Sequence, residues 1–280
     1  MEHHPSLEAR QKAFEHHLIV ERGMSRSTAR MRANIVAAHL QRWQTLVPVK
    51  EVIQRAKEEA ILAGYNRGYV GNICRAFKDY GAYLGIDLAV KPPSPDKERV
   101  PRFLSEQEVQ NILFAIDSVR DRALFTTLAY TGLRCQEAVN LHREDLNFEK
   151  RTVVVQHGKG GKSAEVPIAR AALDALSHYL RAGARREDVP WLFHSPDGKR
   201  LSTNRVRVLA ARYGRLAGLT KRISPHMFRH ALATNLLAKG CPLPFVQRQL
   251  RHSRVETTMR YLHLSDAMLK ENYERFLPTY

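Results

Sequence analysis

RTVVVQHGKGGKSAEVPI, Arg151–Ile168, sets two β-type runs on either side of a tip that holds three glycines and two lysines. Two such runs around a Gly-rich tip predict an antiparallel hairpin. Outward from it the pattern turns helical in both directions. Upstream, LSEQEV opens a helix with a capping box, Ser105 as cap and Glu108 three residues on. A second apolar helix runs from about Arg120 to Tyr130, ends at TGLR, and is followed by a short helix from Cys135 to Leu141. Downstream, helices are expected at about 170–182, 203–217, 226–239, 243–250, 255–262 and 265–277. The fold class is therefore mainly α with a small antiparallel β-sheet (α+β).

Further upstream, AVKPPSPDKERVPRF, Ala89–Phe103, carries four prolines and no helical period. Proline removes a donor and disfavours helix at the residue before it. This predicts a linker over 93–102 between a domain at 1–92 and one at 103–280. The first domain reads as four helices, roughly 6–22, 26–44, 49–63 and 67–84. Val36, Leu40 and Trp43 recur at helical spacing, as do Ile73, Phe77, Tyr80 and Leu84. Ser25 and Ser27 are candidate caps, and Gly23, Gly64 and Gly85 candidate stops.

Charge is the strongest bulk signal. Of 280 residues, 45 are Lys or Arg and 28 are Asp or Glu, a net charge of +17. Residues 1–90 carry a net +4 and the remainder +13, so both parts are basic. Such a field attracts polyanions, nucleic acid first. No run of 18 apolar residues predicts a membrane span, and the first ten residues lack the apolar core of a secretory signal. Cys74, Cys135 and Cys241 fit no metal-ligand spacing and predict reduced thiols in a cytoplasmic protein.

SPHMFRH, Ser224–His230, is where chemistry is expected. Ser224 is a candidate N-cap, and Pro225 suits the first helical position. His226 and Arg229 are three apart and share a face. Three readings are open. His226 and His230 have the i, i+4 spacing of a metal pair, but Met227 stands where zincins place glutamate, and Arg229 adds a cation. One histidine can simply belong to a core. Or the helix N-terminus and an arginine fork together hold a phosphate.

The remaining pieces favour the phosphate. TGLRCQEAVNL places Arg134 at a turn between helices, with Glu137 three residues later to orient it. HGKGGK presents Lys159. QLRHSRVETTMRYLH presents His252 and, nine residues later, Tyr261. In this order and spacing the chain resembles the tyrosine recombinases, the phage integrase family, and most closely their compact Xer-like members. The resemblance spans essentially the whole chain and is vaguer in the N-terminal part. It implies a SAM-like helical DNA-binding domain followed by a catalytic domain. It assigns the catalytic set to Arg134, Lys159, His226, Arg229, His252 and Tyr261, with Lys162 as second choice for the lysine and His230 left to structure. Two departures stand out: Arg251 where the family commonly has glycine, and Arg260 before the nucleophile. Both are expected as extra contacts to the DNA backbone, with Lys162. Arg26, Arg30, Arg67, Arg75 and Lys78 of the first domain are either a DNA face or a solvated one.

By the same resemblance, Tyr261 attacks a DNA phosphate to form a 3′-phosphotyrosine. Arg134, Arg229 and His252 stabilise the charged phosphorane, and Lys159 protonates the leaving 5′-oxygen. The bond energy stays in the adduct, so neither nucleotide cofactor nor metal is expected. The implied partners are double-stranded DNA with a specific recombination site and three further copies of the chain. The expected assembly is a tetramer on DNA linked by cyclic exchange of a docking helix at 265–278, with a second recombinase or an accessory protein as an open addition. No arm-binding domain of the lambda type is expected. The rival readings are DNA relaxation in the manner of type IB topoisomerases and DNA binding without chemistry.

Overall fold

A computed structural model describes residues 6–94, 103–156, 163–183 and 185–251, and the chain divides into two compact units, Met1–Val100 and Pro101–Tyr280.

The first unit has four helices, α1 (Leu7–Val20), α2 (Arg26–Trp43), α3 (Lys50–Leu62) and α4 (Arg67–Leu84). Their ends follow local chemistry. Ser25 accepts from the Thr28 N–H and Asn66 from the Gly68 N–H, while Gly85 closes α4 at φ +71. The apolar stripes meet in one core of Phe14, Leu18, Val36, Leu40, Ile53, Ile73, Phe77 and Tyr80, with Trp43 and Leu84 packed at its margin. Arg32 pairs with the buried Asp79 and ties α2 to α4. A buried carboxylate needs such a partner.

The second unit is built around α6 (Val119–Thr131), which packs against α8 (Arg170–Arg181) and α10 (Pro225–Ala238). Every residue from Ala123 to Ala129 is buried, so α6 is enclosed on all sides rather than amphipathic. Its threonines are satisfied within the helix: Thr127 Oγ1 donates to the Ala123 carbonyl at 2.8 Å and Thr131 Oγ1 to the Thr127 carbonyl at 2.6 Å. At one end, the Tyr213 hydroxyl donates to the buried Asp121 carboxylate at 2.8 Å. The remaining helices are α5 (Glu106–Phe114), α7 (Cys135–Val139), α9 (Thr203–Leu216) and α11 (Leu243–Leu250). The capping box expected at Ser105 and Glu108 is present.

The expected hairpin is β2 (Thr152–Val155) with β3 (Ala164–Pro167), antiparallel with Val153 opposite Val166. Val153, Val155 and Val166 turn inward to the core. A third strand, β1 (Leu146–Asn147), pairs with β2 and was not expected. Two residues are too short for an alternation to be seen, and pairing against Val153 and Thr152 is what makes them a strand. The hairpin tip, residues 157–162, lies outside the described residues, as do 95–102 of the expected linker and everything after Arg251.

Candidate active site

Three segments far apart in sequence converge at one end of α10. The first is the turn Thr131–Arg134 between α6 and α7. Gly132 caps α6 at φ +65, and a Cβ on it would lie 2.5 Å from Leu250 Cδ2 and 3.0 Å from Leu232 Cδ2. Only glycine allows both the left-handed backbone and that close approach. Arg134 follows as the N-cap residue of α7. Glu137, at the third position of the same helix, serves it twice, as the i, i+3 spacing predicts. Its Oε2 accepts the Arg134 backbone N–H at 2.7 Å and its Oε1 accepts Arg134 Nη1 at 2.8 Å. The carboxylate thus caps the helix and fixes the direction of the guanidinium.

The second segment is α10. Ser224 occupies the N-cap position and Pro225 the first turn, as expected, but the Ser224 hydroxyl makes no capping bond. Arg229 is 5% exposed, and its guanidinium donates to the carbonyls of Gly132, at 2.5 Å, and Leu250. Those carbonyls are the C-terminal ends of α6 and α11, where helices have unpaired acceptors and partial negative charge. Arg229 therefore turns inward, whereas the i, i+3 spacing put it on one face with His226. His226 stays at the solvent side. Local desolvation, then the cations Arg229, Arg207 and Arg134, hold its imidazole below the ordinary value, so it is neutral at pH 7. His230 is half-buried. Among the described residues no three His, Cys, Asp or Glu side chains gather as a metal site would.

The third segment is the end of α11. Gln249 Nε2 donates to the Thr131 carbonyl at 3.2 Å, holding the turn from the other side. Arg251, the C-cap residue, has φ +53 and ψ 47, and its guanidinium reaches Glu137 Oε2 at 2.5 Å. Its side chain is turned onto the protein, whereas the sequence reading placed it on DNA.

Arg207 of α9 is an addition that the sequence reading lacked. It is exposed and close enough to lower the His226 pKa. The signal was present as alternating arginines, Arg205 and Arg207, on a helix with no other marker.

A match to the phage integrase family covers residues 102–268. The chain belongs to the phage integrase family. Among the family's curated members, the tyrosine recombinase XerA of Pyrococcus furiosus is 32% identical over 262 residues, covering 90% of this chain and 89% of that one. The crystal structure of XerA recombinase matches with a TM-score of 0.58 at 27% identity, over 97% of this chain and 99% of that chain. A XerH site-specific recombinase bound to a palindromic difH substrate, in a post-cleavage complex, matches with a TM-score of 0.72 at 21% identity, over 94% of this chain and 84% of that chain. The mainly helical architecture with one small antiparallel sheet is that of the family's recombinases; the XerA relative is a tyrosine recombinase and XerH a site-specific one.

Lys159, Lys162, His252, Arg260, Tyr261 and the helix expected at 265–278 lie outside the described residues. In the first unit, Arg26, Arg30, Arg67, Arg75 and Lys78 are all exposed. Three of them bond within the unit: Arg30 to Glu15 at 3.3 Å, Arg67 to the Ser94 carbonyl at 3.3 Å, and Arg75 to Asn72 at 2.8 Å. Arg67 and Arg75 border a surface cavity of about 750 Å³ with Tyr65, Asn66, Pro92 and Pro93. Among the described residues no helix is long and apolar enough to cross a membrane.

Proposed function

We infer that this chain is a site-specific tyrosine recombinase that cuts and rejoins double-stranded DNA through a 3′-phosphotyrosine. The observation that carries the reading is the convergence of Arg134, Arg229 and a neutral His226 from segments about 95 residues apart, with each arginine already held by protein acceptors. Two fixed cations beside a neutral imidazole suit a phosphate whose non-bridging oxygens gain charge in the transition state.

In this reading the Tyr261 oxygen attacks phosphorus in line, the bond to the 5′-oxygen breaks, and Lys159 gives that oxygen its proton. A phenol is neutral at pH 7 and needs neighbouring cations and a proton acceptor. His226 is the described group able to take or relay the proton. Arg134, Arg229 and His252 bind the non-bridging oxygens. The free 5′-hydroxyl then attacks the adduct on a partner strand, which reverses the same bonds and produces a Holliday junction without ATP or metal. The exposed Arg26, Arg30, Arg67, Arg75 and Lys78 would hold the DNA backbone from the first unit, with Lys162 and Arg260 adding contacts from the second. Four copies around two DNA sites, linked through residues 265–278 and working in the cytoplasm, complete the proposal. The role is dimer resolution or mobile-element integration, alone or with a second recombinase or accessory protein.

The test is a nicked-duplex library of host genomic DNA, incubated with the protein in EDTA and denatured in SDS. The nick releases the cut fragment and traps the adduct. The expected result is a covalent protein–DNA adduct at one sequence, mapped by mass to Tyr261 and missing from Tyr261→Phe. Tight binding with no adduct would support the DNA-binding reading instead.

A further inference from the structure

We propose that Arg251 is a positioning residue for Arg134: by occupying one oxygen of Glu137, it keeps that carboxylate from closing on both arms of the Arg134 guanidinium and so leaves the outer arm for phosphate. The inference rests on the phosphoryl-transfer reading above.

Four observations carry it. Arg251 sits in the left-handed backbone region, φ +53, where glycine is the comfortable residue. A bulky residue persists there only if its surroundings hold it. Its side chain is 15% exposed and directed onto Glu137, whose side chain is 9% exposed. A longer bond runs from its Nη1 to the Gln249 carbonyl at 3.3 Å. Finally, the two Glu137 oxygens are divided. Oε1 takes Arg134 Nη1, while Oε2 takes the Arg134 N–H and the Arg251 guanidinium. Among the described residues Glu137 is the one hydrogen-bond partner of the Arg134 guanidinium.

A carboxylate facing a lone guanidinium tends to grip it with two parallel bonds, which takes two of its donors. A second guanidinium on Oε2 blocks that grip. It also keeps Glu137 ionised. Burial pushes the carboxyl up; the Arg251 charge is the largest single influence against it, and Arg134 adds its N–H bond, its guanidinium bond and its charge, so the net direction is down. The charged groups set against Glu137 are thus Arg134, at the cap of its own helix, and Arg251, 114 residues away at the end of α11. A protonated Glu137 would lose its hold on Arg134.

The experiment compares wild type, Arg251→Gly and Arg251→Lys in single-turnover adduct formation on a nicked duplex, from pH 5 to 8. DNA affinity is measured by mobility shift and the urea midpoint by fluorescence. Glycine suits φ +53 and offsets part of the lost ion pair, and Glu137 keeps Arg134, so Arg251→Gly should fold with a midpoint at neutral pH lowered only modestly. Its DNA affinity should change by less than about threefold, since one inward side chain is lost. Its adduct rate should fall by about tenfold or more, as misplacement of a charge-stabilising group does. The acid limb of its pH profile should move to higher pH, because Glu137 has lost one of the two cations that hold it ionised. Arg251→Lys should restore most of both. An Arg251→Gly rate and profile equal to wild type would overturn the proposal. So would a rate loss matched by lost DNA affinity with the acid limb unmoved, which would make Arg251 a direct DNA contact. Absence of adduct in wild type would instead overturn the phosphoryl-transfer reading. The Arg251–Glu137 pair would still be read from the acid dependence of the urea midpoint, which Arg251→Gly should shift to higher pH.

Discussion

Replacing Arg229 and Arg134 by alanine in turn should separate two kinds of cation. Both are proposed to bind the same phosphate, yet the fold depends on them unequally. Arg229→Ala removes the partner of two buried carbonyls, those of Gly132 and Leu250. Each stranded acceptor costs about 1–3 kcal/mol. Water entering the vacated space recovers part of this, leaving a loss of roughly 3 kcal/mol. With a urea dependence near 2 kcal/mol per molar, the midpoint should fall by about 1.5 M. Arg134 is 30% exposed, and its loss leaves Glu137 still paired with Arg251. Its alanine variant should lose about 1 kcal/mol or less, near 0.5 M. The two units need not unfold together, so the probe must belong to one of them. The chain has two tryptophans, Trp43 in the first unit and Trp191 in the second. A Trp43→Phe background leaves Trp191, whose ring centroid lies 4.9 Å from that of His142, as the sole reporter of the second unit. In adduct formation both variants should fall, by about 100-fold or more, the cost of one fixed donor to transition-state charge. Equal midpoints for the two alanine variants would refute the assignment of Arg229 as a structural tie, whatever the adduct assay gave.

Two other perturbations probe the same corner. Gly132→Ala places a Cβ 2.5 Å from Leu250 Cδ2 on a φ of +65, so it should destabilise the second unit by about 2 kcal/mol or more and lower the Trp191 urea midpoint by about 1 M. An unchanged midpoint would mean that the turn does not need its present backbone. For His226, desolvation and then the neighbouring cations favour the neutral imidazole, so adduct formation should hold its rate as pH falls to about 6.5, where an unperturbed histidine is half protonated, and decline only below it. Arg207→Ala removes one of those cations, and the His226 titration followed by NMR should move to higher pH. No movement would place Arg207 out of electrostatic reach.

How much of this was legible in the sequence depended on distance along the chain. The Ser105–Glu108 capping box and the Arg134–Glu137 pair are both i, i+3 relations, and reading the residues was enough to expect them. The hairpin at Thr152–Pro167 declared itself by two β runs around glycines, whereas β1 did not, because two residues carry no period and depend on their partner. Ser224 takes the expected N-cap position without using its hydroxyl, for a related reason: a residue type suits a position, but neighbours decide whether its side chain is used. Arg229 and Arg251 were seen as cations, the one expected on a phosphate and the other on the DNA backbone, without the protein partners that hold them. Their partners lie 97 and 114 residues away, and no local pattern records such a pairing.

That same distance explains what Arg229 contributes. A cation held in place only by DNA would have to be ordered when DNA binds, at a cost in side-chain entropy. Arg229 is ordered beforehand by the C-terminal carbonyls of α6 and α11, and Arg134 by a carboxylate within its own helix. Folding thus sets both cations without DNA, and for the proposed phosphoryl transfer that is the condition under which fixed charges stabilise a transition state most. The arrangement also links chemistry to packing. Gly132 lets Leu250 approach, that approach brings the two carbonyls within reach of one guanidinium, and the guanidinium holds the turn that presents Arg134. A change at any of the three should therefore be felt in both the urea midpoint and the adduct rate, whereas a change at Arg251 to glycine should be felt chiefly in the rate and in how rate and midpoint depend on acid.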